Sequence, residues 1–213
     1  MWTIWSHRNQ IRVQQNAYPI TQVVPNAQQA FSIFQRANRV QQLQAMVSNT
    51  NQVTWIPPPA NSLKINFDGA LFKDINKAGL GVVIHNDHGQ VLASLSEHIQ
   101  MPFSSDLVEA LTAARAISFA HELSFANYIL EGGSDVVIKA LKRNDDSLSS
   151  FGHILASTKT LTDVNCITFS HTCRIGNAVA RNLAKHARHV IGFKVWMEDV
   201  PPHLHSVLFA NYG

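Results

Sequence analysis

The sequence has few of the features that staple small secreted proteins or anchor proteins in membranes. Its 213 residues include two cysteines, Cys166 and Cys173, which lack the C-x-x-C spacing of zinc and redox sites. Charged residues make up only 15% of the chain, yet no apolar run reaches the roughly 18 residues of a membrane span. The start, from Met1 to Trp5, has no basic stretch before an apolar run, so we expect no secretory signal. We therefore expect an intracellular protein that has neither a disulfide framework nor a membrane segment.

Acidic residues are missing from the first 62 residues, which contain four arginines and no lysine. This segment carries a charge of +4, whereas residues 63–213 carry −1 and the whole chain carries +3. A domain that holds nucleic acid mainly by counterion release is normally more basic than residues 63–213. No glycine-rich phosphate loop and no G-x-S-x-G nucleophile motif is present. The charge pattern indicates two regions of different character and does not by itself predict the function of either.

Residues 1–62 are expected to form a Gln-rich connector. The connector ends in Trp55-Ile-Pro-Pro-Pro59, and its three prolines favour an extended linker. Between residues 27 and 47, apolar residues recur every three or four positions, which predicts an amphipathic helix. The apolar face of this helix could pack on the following domain or bind a coiled-coil partner, and the pattern leaves both open.

Residues 63–195 have the pattern of an α/β domain. Alternating apolar residues and turn signals predict an antiparallel meander of three strands, at 63–68, 79–85 and 90–97. Helical and strand patterns then alternate, which gives the order βββαβααβα. The later elements are expected at 104–123 (helix), 127–131 (strand), 136–141 (helix), 150–161 (helix), 164–169 (strand) and 176–189 (helix). Residues 196–213 are expected to be a C-terminal tail.

Two acidic residues are candidates for a metal site. Asp68 lies late in the first predicted strand, where a buried carboxylate requires a cation or hydrogen-bond donors. Glu109 lies on a face of small residues in the first long helix. Mg²⁺ prefers oxygen ligands such as carboxylates, and two such ions can promote phosphodiester cleavage. Ordinary solvated acids are the alternative, and metal-dependent cleavage would require more than these two carboxylates.

Several motifs occur together in an order that is typical of one family. They are Trp55-Ile-Pro-Pro58, Lys64-Ile-Asn-Phe-Asp68-Gly-Ala70, Gly79-Leu-Gly-Val-Val83, Glu109-Ala-Leu111, Glu131-Gly132, Val136-Val-Ile-Lys-Ala-Leu141, His171-x-x-Arg174-x-x-Asn177 and Trp196-x-Glu-Asp-x-Pro-Pro202. Over residues 55–202 the sequence resembles the plant ribonuclease H-like domains that are related to the tail of non-LTR retrotransposon reverse transcriptases. The resemblance implies the ribonuclease H fold, a five-stranded mixed sheet flanked by helices, which here follows an N-terminal extension.

The resemblance also implies hydrolysis of the RNA strand of RNA–DNA hybrids, by Mg²⁺ held on four carboxylates with a mobile histidine that aids product release. Asp68 and Glu109 match the first two acids, and His171 matches the histidine. The positions of the third and fourth acids hold Gly133 and Arg181 instead. Arg181 in the cleft should weaken cation binding by Coulomb repulsion. Alternatively, it could pair with Asp68 or with a nucleic-acid phosphate.

Asp135 is the remaining candidate for the third acid. It lies two residues beyond Gly133, a shift of roughly 6–7 Å along a strand, so a simple helix N-terminal acid is the alternative. Two functions stay open. One is a Mg²⁺-dependent hybrid ribonuclease that acts through Asp68, Glu109, Asp135 and His171. The other is an inactive ribonuclease H fold that serves as an interaction module for nucleic acid or protein, or is a retrotransposon remnant. The expected partner is an RNA–DNA hybrid, and a monomer is the default expectation.

Overall fold

The computed structural model describes residues 19–22, 24–25, 28–29, 55–143, 152, 154 and 167–211, with only the backbone described at Arg143 and Asn211. The chain forms two compact units that divide between residues 52 and 53. In the first unit, Ile20–Gln22 is a 3-10 helix, and residues 24–25 and 28–29 are helical and exposed. Nearly all of the amphipathic helix predicted at 27–47 lies outside the described residues.

A six-stranded mixed sheet forms the centre of the second unit. Its strands are β1 (Leu63–Phe72), β2 (Lys77–His85), β3 (Val91–Gln100), β4 (Tyr128–Gly132), β5 (Ile167–His171) and β6 (Phe193–Met197). The strand order is β5-β4-β1-β2-β3-β6. The pairs β1–β2, β2–β3 and β3–β6 are antiparallel, whereas β1–β4 and β4–β5 are parallel. The predicted mixed α/β sheet is confirmed, and a sixth strand is added to the five expected.

Helices α1 (Ser105–Glu122) and α2 (Asp135–Arg143) pack on one face of the sheet. The N-terminus of α1 is capped by Ser104, whose hydroxyl accepts a hydrogen bond from the Leu107 backbone N–H. Apolar strand residues meet the small residues of α1 in the main core, which includes Ile65, Phe67, Val82, Ala110, Ala113 and Ile117. Burial of this apolar surface holds α1 against β1 and so fixes where Glu109 lies.

Helix α3 (Ala178–His186) packs on the opposite face at very short range. A Cβ atom added to Gly79 or Gly81 would lie 2.1 or 2.2 Å from a backbone oxygen of α3. Glycine at both positions therefore permits an approach that no side chain would allow. The close packing brings the start of α3, with Asn177 immediately before it, beside β1.

Residues that were expected to be a tail belong to the folded unit. The expected domain boundary at residue 195 falls inside β6, which pairs with β3 along the edge of the sheet. Val200 and Leu204 are buried in the same cluster as Val179 and Leu183 of α3. Helix α4 (His205–Asn211) follows within the same unit. Residues 193–211 therefore extend the sheet beyond β3 and pack against α3.

The predicted helices and strands are present among the described residues, with shifted ends. The final helix, expected at 176–189, is divided into α3 and a 3-10 turn at Ala187–His189. The described part of the fifth strand begins at Ile167 and continues to His171, two residues beyond its expected end. Of the helix expected at 150–161, residues 152 and 154 are helical and the others lie outside the described residues. No helix in the described part of the chain is long and apolar enough to cross a membrane.

Candidate functional site

A cavity of about 300 Å³ lies beside the carboxyl end of β4. Its acidic residues are Asp68 from β1 and Asp106 and Glu109 from α1, and its basic residues are Arg174 and Arg181. Neutral residues complete the lining, namely Gly69, Ser105, Gly133, Ser134 and Asn177. The first turn of α1 and the residues that precede α2 and α3 contribute to this lining, and helix N-termini favour negative charge. The cavity thus combines three acids and two cations close to helix N-termini.

Asp68 is half-buried and has both a hydrogen-bond donor and a nearby cation. The amide Nδ2 of Asn177 donates to the Phe67 carbonyl at 2.8 Å and reaches Asp68 Oδ1 at 3.4 Å. Burial raises the pKa of Asp68 to about 6, although the charge of Arg181 and the hydrogen bond from Asn177 oppose this shift. The Asp68 carboxyl is therefore mainly ionised at neutral pH.

Glu109 is held against β1 by the core packing of α1. Its pKa is raised to about 8, mainly by burial and also by the negative charges of Asp68 and Asp106. A hydrogen bond from the Gly69 backbone N–H acts in the opposite direction and lowers this pKa. Its Oε2 atom is buried and has no hydrogen-bond partner among the described residues. At neutral pH the Glu109 carboxyl is therefore mainly protonated, while Asp68 beside it is mainly ionised.

Gly133 marks an open place next to Asp68. A Cβ atom added there would lie 3.7 Å from Asp68 Oδ1 and 3.9 Å from Asn177 Nδ2, which are ordinary van der Waals distances. The Cβ atom of a side chain at position 133 would thus lie beside Asp68 without a clash. This is the position at which the family resemblance expects the third acid.

Asp135 and His171 do not line the cavity. Asp135 is the first residue of α2, and its half-exposed side chain forms an ion pair with Lys139 at 2.5 Å. The hydrogen bond from Lys139, and then the charges of Lys139 and His171, hold the pKa of Asp135 below its usual value. His171 is exposed at the end of β5. The structure therefore brings Asp68 and Glu109 together, and it places Asp135 and His171 outside that cavity.

Two charged residues and one amide of the cavity, Asp106, Arg174 and Asn177, were not predicted to have a functional role. Asp106 lies in the first turn of α1, where an acid is well placed to face a site. Arg174 and Asn177 were recognised as parts of a motif whose spacing, His171-x-x-Arg174-x-x-Asn177, puts them just before α3. The H-x-x-R-x-x-N pattern was thus a signal for both, but it did not reveal that Asn177 contacts Asp68.

A buried polar cluster behind the cavity holds Asn177 in place. Lys64 and Glu131 form an ion pair at 3.4 Å, with only 9% of each side chain exposed. The amide of Asn66 donates to Glu131 Oε1 at 3.0 Å and to Asn177 Oδ1 at 3.3 Å. Because Asn177 receives this hydrogen bond on its oxygen, its Nδ2 is directed towards Phe67 and Asp68. The cluster therefore sets the orientation of the amide that contacts Asp68.

The residues present do not fit the four-carboxylate Mg²⁺ site that the resemblance implies. Within the residues that the structure describes, no group of three His, Cys, Asp or Glu side chains is arranged to hold a metal ion. The third acid position is Gly133, and Arg181 introduces a positive charge into the cavity. Both differences act against a divalent cation, because one removes a ligand and the other repels the ion.

Solved structures share the fold of the second unit. Ribonuclease H1 of Halobacterium salinarum has a TM-score of 0.54 and 22% identity, and the match covers 61% of this chain and 98% of that chain. The N-terminal ribonuclease H domain of a Mycobacterium tuberculosis protein has a TM-score of 0.53 and 20% identity, and the match covers 60% of this chain and 94% of that chain. The compost-derived LC11 ribonuclease H1 was solved in complex with an RNA/DNA hybrid. It has a TM-score of 0.52 and 20% identity, and the match covers 58% of this chain and 94% of that chain. The second unit therefore has the ribonuclease H fold.

The sequence of the second unit matches a known protein family. The family described as reverse transcriptase-like matches residues 66–187, which is more than half of the chain. The protein belongs to this family, and its matched segment is a ribonuclease H-like domain. No curated protein matches the sequence.

Proposed function

We propose that this protein is a nucleic-acid-binding domain that binds RNA–DNA hybrids without hydrolysing them. The observation that carries the proposal is the place beside Asp68, which is open to a side chain but is occupied by Gly133. Two arginines share the cavity with the remaining acids. The site therefore lacks a carboxylate at position 133 and contains two guanidinium groups that can bind phosphate.

The binding part of the proposal is supported by the fold and by the arginines. The LC11 ribonuclease H1, which has the same fold, was solved with a bound RNA/DNA hybrid. Hybrid recognition relies on contacts to the phosphate backbone, which arginine side chains make well. Arg174 and Arg181 lie in the cavity where such contacts are possible.

The non-hydrolytic part is supported by the arrangement of the carboxyl groups. Mg²⁺ requires oxygen ligands in a near-octahedral shell at about 2.0–2.1 Å. Asp68, Asp106 and Glu109 line the cavity, but among the described residues no three such side chains are arranged to hold a metal ion, and Asp135 is directed to Lys139. A positive charge from Arg181 acts on Asp68 and competes with a cation for it.

A second candidate function is the Mg²⁺-dependent hydrolysis of RNA–DNA hybrids. The observation in its favour is Glu109 Oε2, a buried carboxyl oxygen without a hydrogen-bond partner among the described residues. Such an atom is costly unless a ligand completes its interactions. In this function Asp68 and Glu109 would act with Asp135 and His171, and Asp135 would first have to leave Lys139.

One experiment decides between the two functions. A labelled RNA–DNA hybrid is mixed with the purified full chain, with and without Mg²⁺, and binding and cleavage are followed on the same samples. We expect binding without cleavage, both in the wild type and in the Asp68→Asn variant. Cleavage that is lost in Asp68→Asn would overturn the first proposal in favour of the second. An absence of binding by a folded chain would overturn both.

Other properties stay predictions from the sequence. They are a plant source, an origin in a non-LTR retrotransposon, an intracellular location, a monomeric state, and the role of residues 1–62 as a connector. The monomer is tested by light scattering of the purified chain. A mass twice that of the monomer would contradict it.

A further inference from the structure

Two arginines in the cavity differ from the other arginines whose side chains the structure describes. Arg115 and Arg188 form ion pairs with carboxylates. Arg174 and Arg181 have no hydrogen-bond or ion-pair partner for their guanidinium groups among the described residues, although they line a cavity that contains carboxyl groups. Two unpaired guanidinium groups that face one cavity are a feature that an anionic ligand would complete.

The position of Arg181 keeps it close to Asp68 and available to a ligand. Its backbone N–H donates to the Asn177 carbonyl at 3.0 Å, so it lies one helical turn after Asn177 on the side of α3 that faces β1. Its charge is the strongest of the effects that lower the pKa of Asp68. Even so, its guanidinium nitrogens form no ion pair with Asp68 within 4 Å, so their N–H groups are not already committed.

The chemistry of the cavity selects a phosphate group as this anion. A guanidinium group presents five N–H donors in a planar fork that fits two phosphate oxygens, and it repels cations. Ser105 and Ser134 also line the cavity, and each hydroxyl can donate one hydrogen bond. A cavity of about 300 Å³ lies at the lower end of the range for small-ligand sites. That size accommodates a phosphate with part of its attached sugar.

The acids of the cavity restrict how this anion can bind. Asp68 and Asp106 line the same cavity and oppose an anion, so net charge alone does not attract one. The ligand has to make direct contacts with the guanidinium groups. A negative charge that is spread over two oxygens and shielded by esterified neighbours, as in a phosphodiester, meets this requirement better than a dianionic free phosphate.

We propose that Arg174 and Arg181 form a subsite for one phosphodiester group of a nucleic-acid strand, and that this subsite works without a divalent cation. The inference rests on the proposed function, since the phosphodiester belongs to the bound hybrid. It adds to that function the residues that make the contact and the independence from Mg²⁺.

The test measures hybrid binding by the full chain in EDTA. The variants are Arg174→Ala, Arg181→Ala and Arg181→Lys, and Arg188→Gln is the matched control, because it removes the same charge from a position outside the cavity. We expect Arg174→Ala and Arg181→Ala each to weaken binding about tenfold or more. Each should also lower the number of counterions released on binding by about one, as read from the slope of log K against log salt concentration. Arg181→Lys should lie in between, since it keeps the charge but loses the fork. Arg188→Gln should bind like the wild type.

The possible results separate the subsite from the proposed function. If the wild type binds the hybrid but both alanine variants match Arg188→Gln, or if binding requires Mg²⁺, the subsite is wrong and hybrid binding stands. If the folded wild type does not bind the hybrid, the proposed function fails, and NMR of the arginine side-chain N–H groups tests the subsite alone. Shifts of the Arg174 and Arg181 signals with a dinucleoside monophosphate would support it. No shifts, or shifts with inorganic phosphate only, would overturn it.

Discussion

Trp55 donates its indole N–H to the side-chain oxygen of Asn66 at 3.0 Å. This hydrogen bond joins the Pro-rich segment to the buried polar cluster, because Asn66 in turn donates to Asn177, and Asn177 contacts Asp68. The Trp55 ring is 5% exposed and lies 4.6 Å from the ring of His85. Trp55 was predicted to belong to a linker, yet it is part of the structure that supports the cavity.

The substitution Trp55→Phe removes this donor and keeps an aromatic ring. Asn66 Oδ1 would then be buried without its hydrogen bond, which typically costs about 1–3 kcal/mol. We expect the free energy of unfolding in urea to fall by about that amount. Trp196→Phe is the control, because the Trp196 side chain has no hydrogen-bond partner among the described residues, and equal effects of the two changes would contradict the role of the Trp55 donor.

The substitution Lys64→Met breaks the buried ion pair with Glu131. It leaves a buried carboxylate without its cation, which typically costs about 3–5 kcal/mol. Adding Glu131→Gln removes that charge while keeping an acceptor for Asn66, so the double variant should recover at least about 1 kcal/mol. Lys139→Met, in the exposed pair with Asp135, should leave stability nearly unchanged, because solvent screens this pair. Urea unfolding of the four proteins measures these differences, and equal losses at residues 64 and 139 would show that burial of the pair is unimportant.

The substitution Glu109→Gln should change how stability depends on pH. The folded-state pKa of Glu109 is about 8, whereas its ordinary value is 4.5. Between these two pH values the carboxyl ionises in the unfolded chain but stays mainly protonated in the folded chain, so rising pH favours unfolding. The wild type therefore becomes less stable over this window, by about 1.4 kcal/mol for each unit of raised pKa. Glu109→Gln lacks this loss.

The measurement compares the free energy of unfolding in EDTA at about pH 5 and about pH 9. We expect the wild type to lose at least about 1.4 kcal/mol more than Glu109→Gln between them. Glu122→Gln, which changes an exposed carboxyl on the same helix, is the control and should behave like the wild type. Parallel curves for the wild type and Glu109→Gln would contradict the raised pKa.

Adding two acids should create a Mg²⁺ site. In the double variant Gly133→Asp with Arg181→Asp, one acid fills the open place beside Asp68 and the other replaces the repelling cation. We expect Mg²⁺ to give a saturable binding heat and to raise the Tm of this variant only, since a ligand stabilises the state that binds it. The same variant with Asp68→Asn should lose both effects. An equal response of the wild type to Mg²⁺ would contradict the prediction and favour the hydrolytic function.

Most of the helices and strands could be predicted from the regular spacing of apolar residues in the sequence, because one face of each element is buried. In β1, Ile65 and Phe67 face the core, and this alternation was visible because strand side chains point to opposite faces in turn. The sixth strand was missed because five residues at a sheet edge, Phe193–Met197, carry little periodic signal, and their pairing depends on β3 rather than on local sequence. Long-range pairing of this kind is not encoded in a short window.

The site was partly predictable. Asp68 and Glu109 were predicted as site residues because each combines a carboxylate with an element that positions it; the structure places both in one cavity, and their role stays a prediction. The ion pair of Asp135 could have been predicted too, since Lys139 lies four residues later in a helix, a spacing that favours such pairs. The contact between Asn177 and Asp68 could not, because it links residues more than a hundred positions apart through tertiary packing.

The pairing of β6 with β3 determines where a stable fragment of the domain can begin and end. The segment that matches the family, residues 66–187, contains neither Trp55 nor β6. A fragment with those limits would expose the backbone N–H and C=O groups along the β3 edge, and an unpaired edge of this kind recruits strands from other molecules. It would also uncover Val83 and Leu183, which pack against Val200 and Leu204. The folded unit is thus longer than the matched segment 66–187, and a fragment meant to stay monomeric should keep both Trp55 and β6.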